Sequence, residues 1–129
     1  MADPNNIRSF PIGSEQDLMP YGVTVASLES RRIEWISKGR LAVGKITVLD
    51  GDPGLGKSTM MLDWAARITT GRALPGEPGW EYGRIVRKPR GVLLLSAEDG
   101  DEDTIKPRLD LLKADTKKVV LLKMMDSIG

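Results

Sequence analysis

The fold is decided by the stretch Gly51-Asp52-Pro53-Gly54-Leu55-Gly56-Lys57-Ser58-Thr59, which follows a short apolar run at residues 46–49. It fits the pattern G-x-x-x-x-G-K-[ST], in which a glycine-rich loop joins a strand to the first turn of a helix. The apolar run is typical of a strand buried on both faces of a parallel sheet. Apolar side chains then recur at helical spacing as far as Thr70, and Gly71 is a natural stop, so we predict a helix over 57–70.

The residue types of this loop suit the binding of a nucleoside triphosphate. Glycines allow the backbone to curl around phosphates so that its N–H groups point inward, and Pro53 stiffens the curl. The positive end of the following helix favours an anion. Lys57 can reach the β and γ phosphates, the Ser58 hydroxyl can ligate Mg²⁺, and Thr59 can contact the α phosphate. The predicted nucleotide-binding residues are Gly51, Asp52, Pro53, Gly54, Leu55, Gly56, Lys57, Ser58 and Thr59.

Composition limits the other functions that the chain can have. It has 129 residues, 40% of them apolar, which is enough for one domain with a real core. A net charge of +1 gives no global field toward nucleic acid or membrane. Without cysteine or histidine there is no disulfide framework and no imidazole base, so acid–base chemistry falls to Asp, Glu or Lys. With no secretion signal and no apolar run of membrane-spanning length, we expect a cytoplasmic protein without a membrane partner.

The N-terminal part of the chain carries little periodic signal. Residues 1–22 contain three prolines and two glycines and no sustained pattern, which predicts a flexible arm, with one folded unit over 23–129. Ser27 is a suitable N-cap for a short helix that extends toward Trp35. Trp35 fits either packing at the edge of the core or stacking on a base.

Two further apolar runs, 92–95 and 119–122, repeat the pattern of a buried strand, and Thr104 is a suitable N-cap for a helix between them. Together with the run before the loop, they predict an α/β fold with about three core strands in a mostly parallel sheet and helices on its faces. Glu98 and Asp99 follow the first of these runs, at the edge of the sheet where ligands bind. A carboxylate there can polarise the water that attacks the γ phosphate or hold Mg²⁺ through water. The other interpretation is an acidic turn that caps a helix.

The segment 71–90 is rich in proline and glycine, and its middle predicts a two-stranded ribbon that turns near Gly83. It contains the one cluster of basic and aromatic residues in the sequence. This composition fits either a contact with nucleic acid or a solvated hairpin. The cluster consists of Trp80, Tyr82, Arg84, Arg87, Lys88 and Arg90.

Three stretches of the sequence resemble RecA-like P-loop ATPases of bacterial and phage origin. They are GKITVLDGDPGLGKSTMMLDWAARITTG, VLLLSAEDGDEDTIKPRLDLLKAD and KKVVLL. The branch that they resemble most is that of plasmid replicative helicases of the RepA type, over roughly residues 35–122. The resemblance implies a RecA-like P-loop NTPase fold, ATP with Mg²⁺, a homo-hexameric ring, and work on single-stranded or duplex DNA. It implies that Glu98 is the catalytic glutamate, acting with Lys57, and that Asp99 beside it and Ser58 serve the metal.

The sequence departs from this family's pattern in its second half. No later apolar strand ends in the expected metal-linked aspartate, for which Asp126 is a poorly spaced candidate, and no arginine finger is evident. We therefore expect these residues to be the N-terminal portion of a longer ATPase, which alone binds nucleotide but hydrolyses it poorly. Two alternatives stay open: a nucleotide-responsive interaction module without turnover, and a P-loop kinase.

Overall fold

A computed structural model describes residues 6–8, 20–95 and 101–122 of the chain. The chain divides into two compact units, Met1–Glu34 and Trp35–Gly129. In the described part, neither helix has the length and apolarity needed to span a bilayer.

The first unit contains two short strands. Strand β1 (Asn6–Arg8) pairs antiparallel with β2 (Pro20–Val23), and a 3-10 turn follows at Val25–Ser27. The helix predicted after Ser27 is wrong, because residues 28–34 have no regular structure. Leu28 is exposed there, and a helix this short is unstable in water unless it buries an apolar face. The flexible arm expected over 1–22 stays a prediction.

The second unit holds the longer elements. Strands β3 (Trp35–Ser37) and β4 (Leu41–Ala42) form an antiparallel hairpin, and Trp35 lies in β3, partly exposed, instead of on a helix. Helix α1 (Lys57–Thr70) follows the glycine-rich stretch at residues 51–56 and leads into the core. The elements of this unit are β3 (Trp35–Ser37), β4 (Leu41–Ala42), α1 (Lys57–Thr70), β5 (Val92–Leu95), α2 (Lys106–Leu111) and β6 (Val119–Leu122).

Strands β5 and β6 pair in parallel, with Val92 opposite Val119 and Leu95 opposite Leu122. The sequence predicted the bounds of both strands correctly. One face of this pair packs on the two helices, and the core there consists of Leu62, Ala65, Leu94, Ile105 and Leu109. The expectation of burial on both faces is wrong for Leu93 and Leu95, because α1 and α2 cover the opposite face and the other face is exposed in the described structure.

The strand predicted at residues 46–49 is not formed. Ile46 is 94% exposed and Val48 is 79% exposed, and the segment pairs with no strand among the described residues. A strand is stable only when a neighbouring strand satisfies its N–H and C=O groups. In the described part, β5 and β6 pair with each other and with no third strand. The sheet that was predicted to have about three core strands therefore has two there.

Helix α1 begins at Lys57 and ends at Thr70, as the periodicity predicted. Its buried side chains, Leu62, Ala65, Ala66, Ile68 and Thr69, lie toward its C-terminal end, while Met60 in the first turn is exposed. Gly71 caps the helix in the left-handed conformation with φ 76°, and its N–H donates to the carbonyls of Arg67 and Ile68. Only glycine adopts this backbone conformation without strain, which confirms its role as the stop.

The segment 71–90 folds back on the end of α1. A 3-10 turn at Trp80–Tyr82 separates its two halves, and they meet at one isolated antiparallel bridge, between Arg72 and Ile85. The amide of Ala73 donates to the Arg84 carbonyl at 2.8 Å. The predicted two-stranded ribbon turning near Gly83 is therefore wrong, because the chain after Gly83 pairs with the residues that follow α1 instead of with its own neighbours.

Helix α2 is preceded by a π-helical turn at Asp101–Ile105, so helical backbone already runs through Thr104. The prediction of Thr104 as the N-cap is therefore wrong. Pro107 lies in the first turn of α2. Ile105 and Leu109, four residues apart, are buried against α1 and β5.

Candidate functional site

The loop at residues 51–56 is exposed along its whole length. Gly54 and Gly56 have φ values of 82° and 78°, which place their backbones in the region that side chains disfavour. The Asp50 carboxylate accepts a hydrogen bond from the Gly51 amide at 2.8 Å, which fixes the start of the loop. The sequence pattern thus produces a turn built by glycine backbone in front of a helix.

The first turn of α1 has free hydrogen-bond donors. Gly56 is the N-cap residue, and no side chain caps the helix. The amide of Met60 donates to the Gly56 carbonyl at 3.0 Å, whereas the amides of residues 57–59 have no carbonyl partner within the helix. Such a helix start, with its partial positive charge, is suited to binding an anion.

Lys57 is the first residue of α1, and its side chain lies across the loop. Its ammonium donates hydrogen bonds to the carbonyls of Gly51 and Asp52, the second at 2.9 Å. These bonds hold a positive charge at the loop beside the free amides of the helix. The arrangement can neutralise two or more phosphate oxygens in one place.

The other predicted site residues divide into two groups. Ser58 is half-buried and Thr59 is exposed, both in the first turn of α1, so the structure brings all of the residues from Gly51 to Thr59 into one loop and turn. Glu98, Asp99 and Asp126 lie outside the described residues. Strand β5 ends at Leu95, a short distance along the chain before the first two of them.

The opposite end of α1 is held by arginines that lie outside the predicted site. Arg67 pairs with Asp63, four residues before it, at 2.9 Å, and it also donates to the carbonyls of Ala73 and Trp80. Its guanidinium lies 5.8 Å from the centre of the Trp80 ring. The four-residue spacing gives no sign of these extra partners, since they depend on how segment 71–90 folds.

Arg72 and Thr69 connect the same end of α1 to the chain after α2. Arg72 donates to the Leu112 carbonyl at 2.7 Å, and the buried Thr69 hydroxyl accepts from the Asp115 amide at 3.2 Å. Burial lowers the pKa of Arg72, Arg67 lowers it further, and Asp63 opposes the change. No signal in the sequence distinguishes Arg72 or Thr69 from an ordinary surface residue near a helix end.

Arg87, which the sequence placed in the basic and aromatic cluster, has a structural role. It forms an ion pair with Glu77 and donates to the Arg72 carbonyl at 2.8 Å. The Glu77 carboxylate also accepts from the Leu74 amide at 2.6 Å. Burial raises the pKa of Glu77, but the hydrogen bonds from Arg87 and Leu74 outweigh it, so the pKa lies below its ordinary value of 4.5.

This direction gives a pH prediction for Glu77→Gln. A lowered carboxyl pKa stabilises the fold above the unfolded-state pKa near 4.5, and the contribution is lost as pH falls through the lower folded-state pKa. We expect the variant to be less stable than the parent by about 1 kcal/mol at pH 7, and the difference to shrink toward zero as the pH falls below 4.5 and through the lowered folded-state pKa. Urea unfolding across this range measures it. Glu81→Gln, at an exposed position, is the control and should follow the parent; a constant difference at all pH values would contradict the prediction.

Comparison with known protein families concerns the kind of domain that contains this loop and helix. A family model described as AAA domain matches residues 18–128, which include the whole stretch from Gly51 to Thr59. Comparison with curated proteins gave no match, and comparison with solved structures gave none either. The match covers most of the chain, and the AAA domain is a nucleotide-binding ATPase domain of the P-loop superfamily. The chain belongs to the AAA domain family.

Proposed function

We propose that the chain binds ATP with Mg²⁺ through residues 51–59, as part of a cytoplasmic RecA-like ATPase that hydrolyses ATP in the complete protein. The observation that carries the proposal is the position of Lys57. Its ammonium is held over a glycine-built loop by the Gly51 and Asp52 carbonyls, next to the uncapped start of α1. Backbone amides, a helix terminus and one ammonium in the same place are the groups that bind a polyphosphate.

Each site residue has a proposed role. Lys57 binds the β and γ phosphates, and the amides of the loop surround them. Ser58 offers a hydroxyl oxygen in the first turn of α1, which is a donor that suits Mg²⁺, and Asp99 is the proposed second oxygen donor. Mg²⁺ bound there neutralises charge that develops on the phosphate oxygens. Glu98 is the proposed base that orients and polarises the attacking water.

Glu98→Gln in the complete protein tests this division of roles. The amide keeps the shape of the side chain but cannot accept the proton of water, so we expect parental ATP affinity and a fall in turnover of about a hundredfold. Nucleotide titration and a phosphate-release assay measure the two quantities. The control is Asp103→Asn, which makes the same acid-to-amide change at an exposed carboxylate that also follows β5 in the sequence. It should leave ATP affinity and turnover unchanged. Parental turnover in Glu98→Gln would remove Glu98 from the mechanism.

The resemblance to plasmid replicative helicases supports a narrower proposal, in which homo-hexamers of the complete protein use ATP to move on DNA during phage or plasmid replication. Phosphate release with and without single-stranded DNA tests it. Stimulation by DNA supports a motor. Turnover that is unchanged by added DNA favours another AAA ATPase. Tight ATP binding without turnover favours a nucleotide-responsive interaction module, in which segment 71–90 presents the surface to a partner.

A further inference from the structure

Two segments of the second unit carry basic residues without any acidic ones. Residues 35–42, which form the β3–β4 hairpin, and residues 84–91 together hold six of the nineteen basic residues and none of the eighteen acidic residues of the chain. Because the net charge of the chain is only +1, the remaining sequence is acidic. A chain with balanced charge thus has its positive charge concentrated in two places.

The fold brings these two segments into contact. Arg87 donates from one guanidinium nitrogen to the Ile36 carbonyl in β3 at 3.3 Å, and from the other to the Arg72 carbonyl. Its ion pair with Glu77 neutralises its charge. Arg87 is therefore the link between the segments, and the other basic residues of the two segments provide the positive charge.

Four of these five other basic residues are exposed. In the described structure, no ion pair and no hydrogen bond occupies the side chains of Lys38 and Arg40 in the hairpin or of Arg84 and Lys88 in the second segment. Their charges face solvent from two adjoining pieces of backbone. Unpaired exposed cations of this kind attract a chain of phosphates, because each contact releases a counterion.

An exposed aromatic ring lies two residues before Arg84 in the chain. Tyr82 ends the 3-10 turn just before Arg84 and is 90% exposed, so both faces of its ring are open to solvent. Trp80, by contrast, is half-buried and is covered by Arg67. An exposed ring among cations gives a flat surface on which an unpaired base stacks.

We propose that Lys38, Arg40, Arg84, Lys88 and Tyr82, here called the basic surface, bind single-stranded nucleic acid. The four cations contact successive phosphates, and the Tyr82 ring stacks on one base. Glu81 is the acidic side chain beside Tyr82, and it opposes this binding. The inference deepens the DNA part of the proposed function, and it assigns the contact to residues that lie outside the nucleotide-binding stretch.

The test measures binding of a short fluorescein-labelled oligo(dT) to the full chain by fluorescence anisotropy, without ATP, over a series of salt concentrations. We expect the paired substitutions Arg84→Gln with Lys88→Gln, and Lys38→Gln with Arg40→Gln, each to weaken binding and to reduce the salt dependence by about 1.4 log units of affinity per log unit of salt. The control is Arg108→Gln with Lys117→Gln, which removes the same charge from exposed positions in other segments and should keep the parental salt dependence.

Tyr82 is tested separately, because stacking and charge have different signatures. Tyr82→Ala should lower the affinity for oligo(dT) at least about fivefold without changing its salt dependence, while Tyr82→Phe should retain parental affinity. Glu81→Gln should raise the affinity. Parental binding by Tyr82→Ala would overturn the assignment of a stacked single strand.

Other outcomes would overturn the proposal as a whole: no oligo(dT) binding by the parent, equal binding by both surface pairs and the parent, or an equal loss in the control pair. ATP binding separates this proposal from the ATPase. Lys57→Ala should bind oligo(dT) as the parent does, and the surface variants should bind ATP as the parent does. A chain that binds ATP but not oligo(dT) refutes the basic surface and leaves the nucleotide site standing.

Discussion

Lys57→Ala is expected to abolish measurable ATP binding, which corresponds to a loss of affinity of about a hundredfold or more. The structure holds the Lys57 ammonium against the Gly51 and Asp52 carbonyls, in front of the free amides of α1. Charged hydrogen bonds to phosphate oxygens are among the strongest that a side chain makes, and no other cation lies in the stretch 51–59. Titration with a fluorescent ATP analogue measures the loss.

The control for Lys57→Ala removes a charge nearby. Lys45→Ala takes an exposed ammonium from the segment before the loop and should bind ATP within about twofold of the parent. Far-ultraviolet circular dichroism should show the parental helix content in both variants, since the Lys57 ammonium hydrogen-bonds to carbonyls of the exposed loop and not to the helix core in the described structure. If Lys57→Ala binds the analogue as tightly as the parent, the loop is not a phosphate site.

Gly71→Ala should lower the free energy of unfolding by about 3 to 5 kcal/mol. The φ of 76° costs an alanine about 1 to 2 kcal/mol. An added Cβ would also lie 2.3 Å from the Arg87 carbonyl oxygen, which is a steric clash with the backbone. Relief requires the 84–90 segment to move away from the end of α1, which breaks the bonds from the Val86 and Arg87 amides to the Gly71 carbonyl.

Gly39→Ala is a matched control for this substitution, because Gly39 has the same φ of 76° but no atom within 4 Å of an added Cβ. It should lower the free energy of unfolding by only about 1 to 2 kcal/mol. The difference between the two variants in urea unfolding isolates the steric contact with Arg87. Equal destabilisation by both substitutions would show that segment 84–90 does not pack on the end of α1 as the structure places it.

The sequence predicted the elements whose own residues are sufficient to define them. Helix α1 has fourteen residues of continuous helical periodicity and a glycine stop, so its bounds were correct. Strands β5 and β6 are short apolar runs on either side of a helical pattern, and their parallel pairing follows from the crossover connection. Segment 46–49 is a similar apolar run, but a strand forms only when it pairs with another strand. An apolar run does not itself show which edge strand of a sheet it pairs with.

The loop of the candidate site was predictable for the same reason, because its geometry depends on neighbours in the sequence. Gly56, Lys57 and the first turn of α1 need no distant residue to take their places. The far end of α1 was not predictable, since Arg67, Arg72 and Thr69 bind carbonyls and amides up to 46 residues away. Glu98 and Asp99, which follow β5, remain predictions of the sequence alone.

In the part of the chain that the structure describes, burial and side-chain hydrogen bonds hold helix α1 at its C-terminal half. Its C-terminal half is buried and tied down by Arg67 and Thr69, whereas its first turn, with Thr59 and Met60 exposed, projects toward the loop. The first turn of the helix can therefore fray and re-form while the buried C-terminal half stays ordered. Amide protons in the first turn should accordingly exchange with solvent long before those in the C-terminal half.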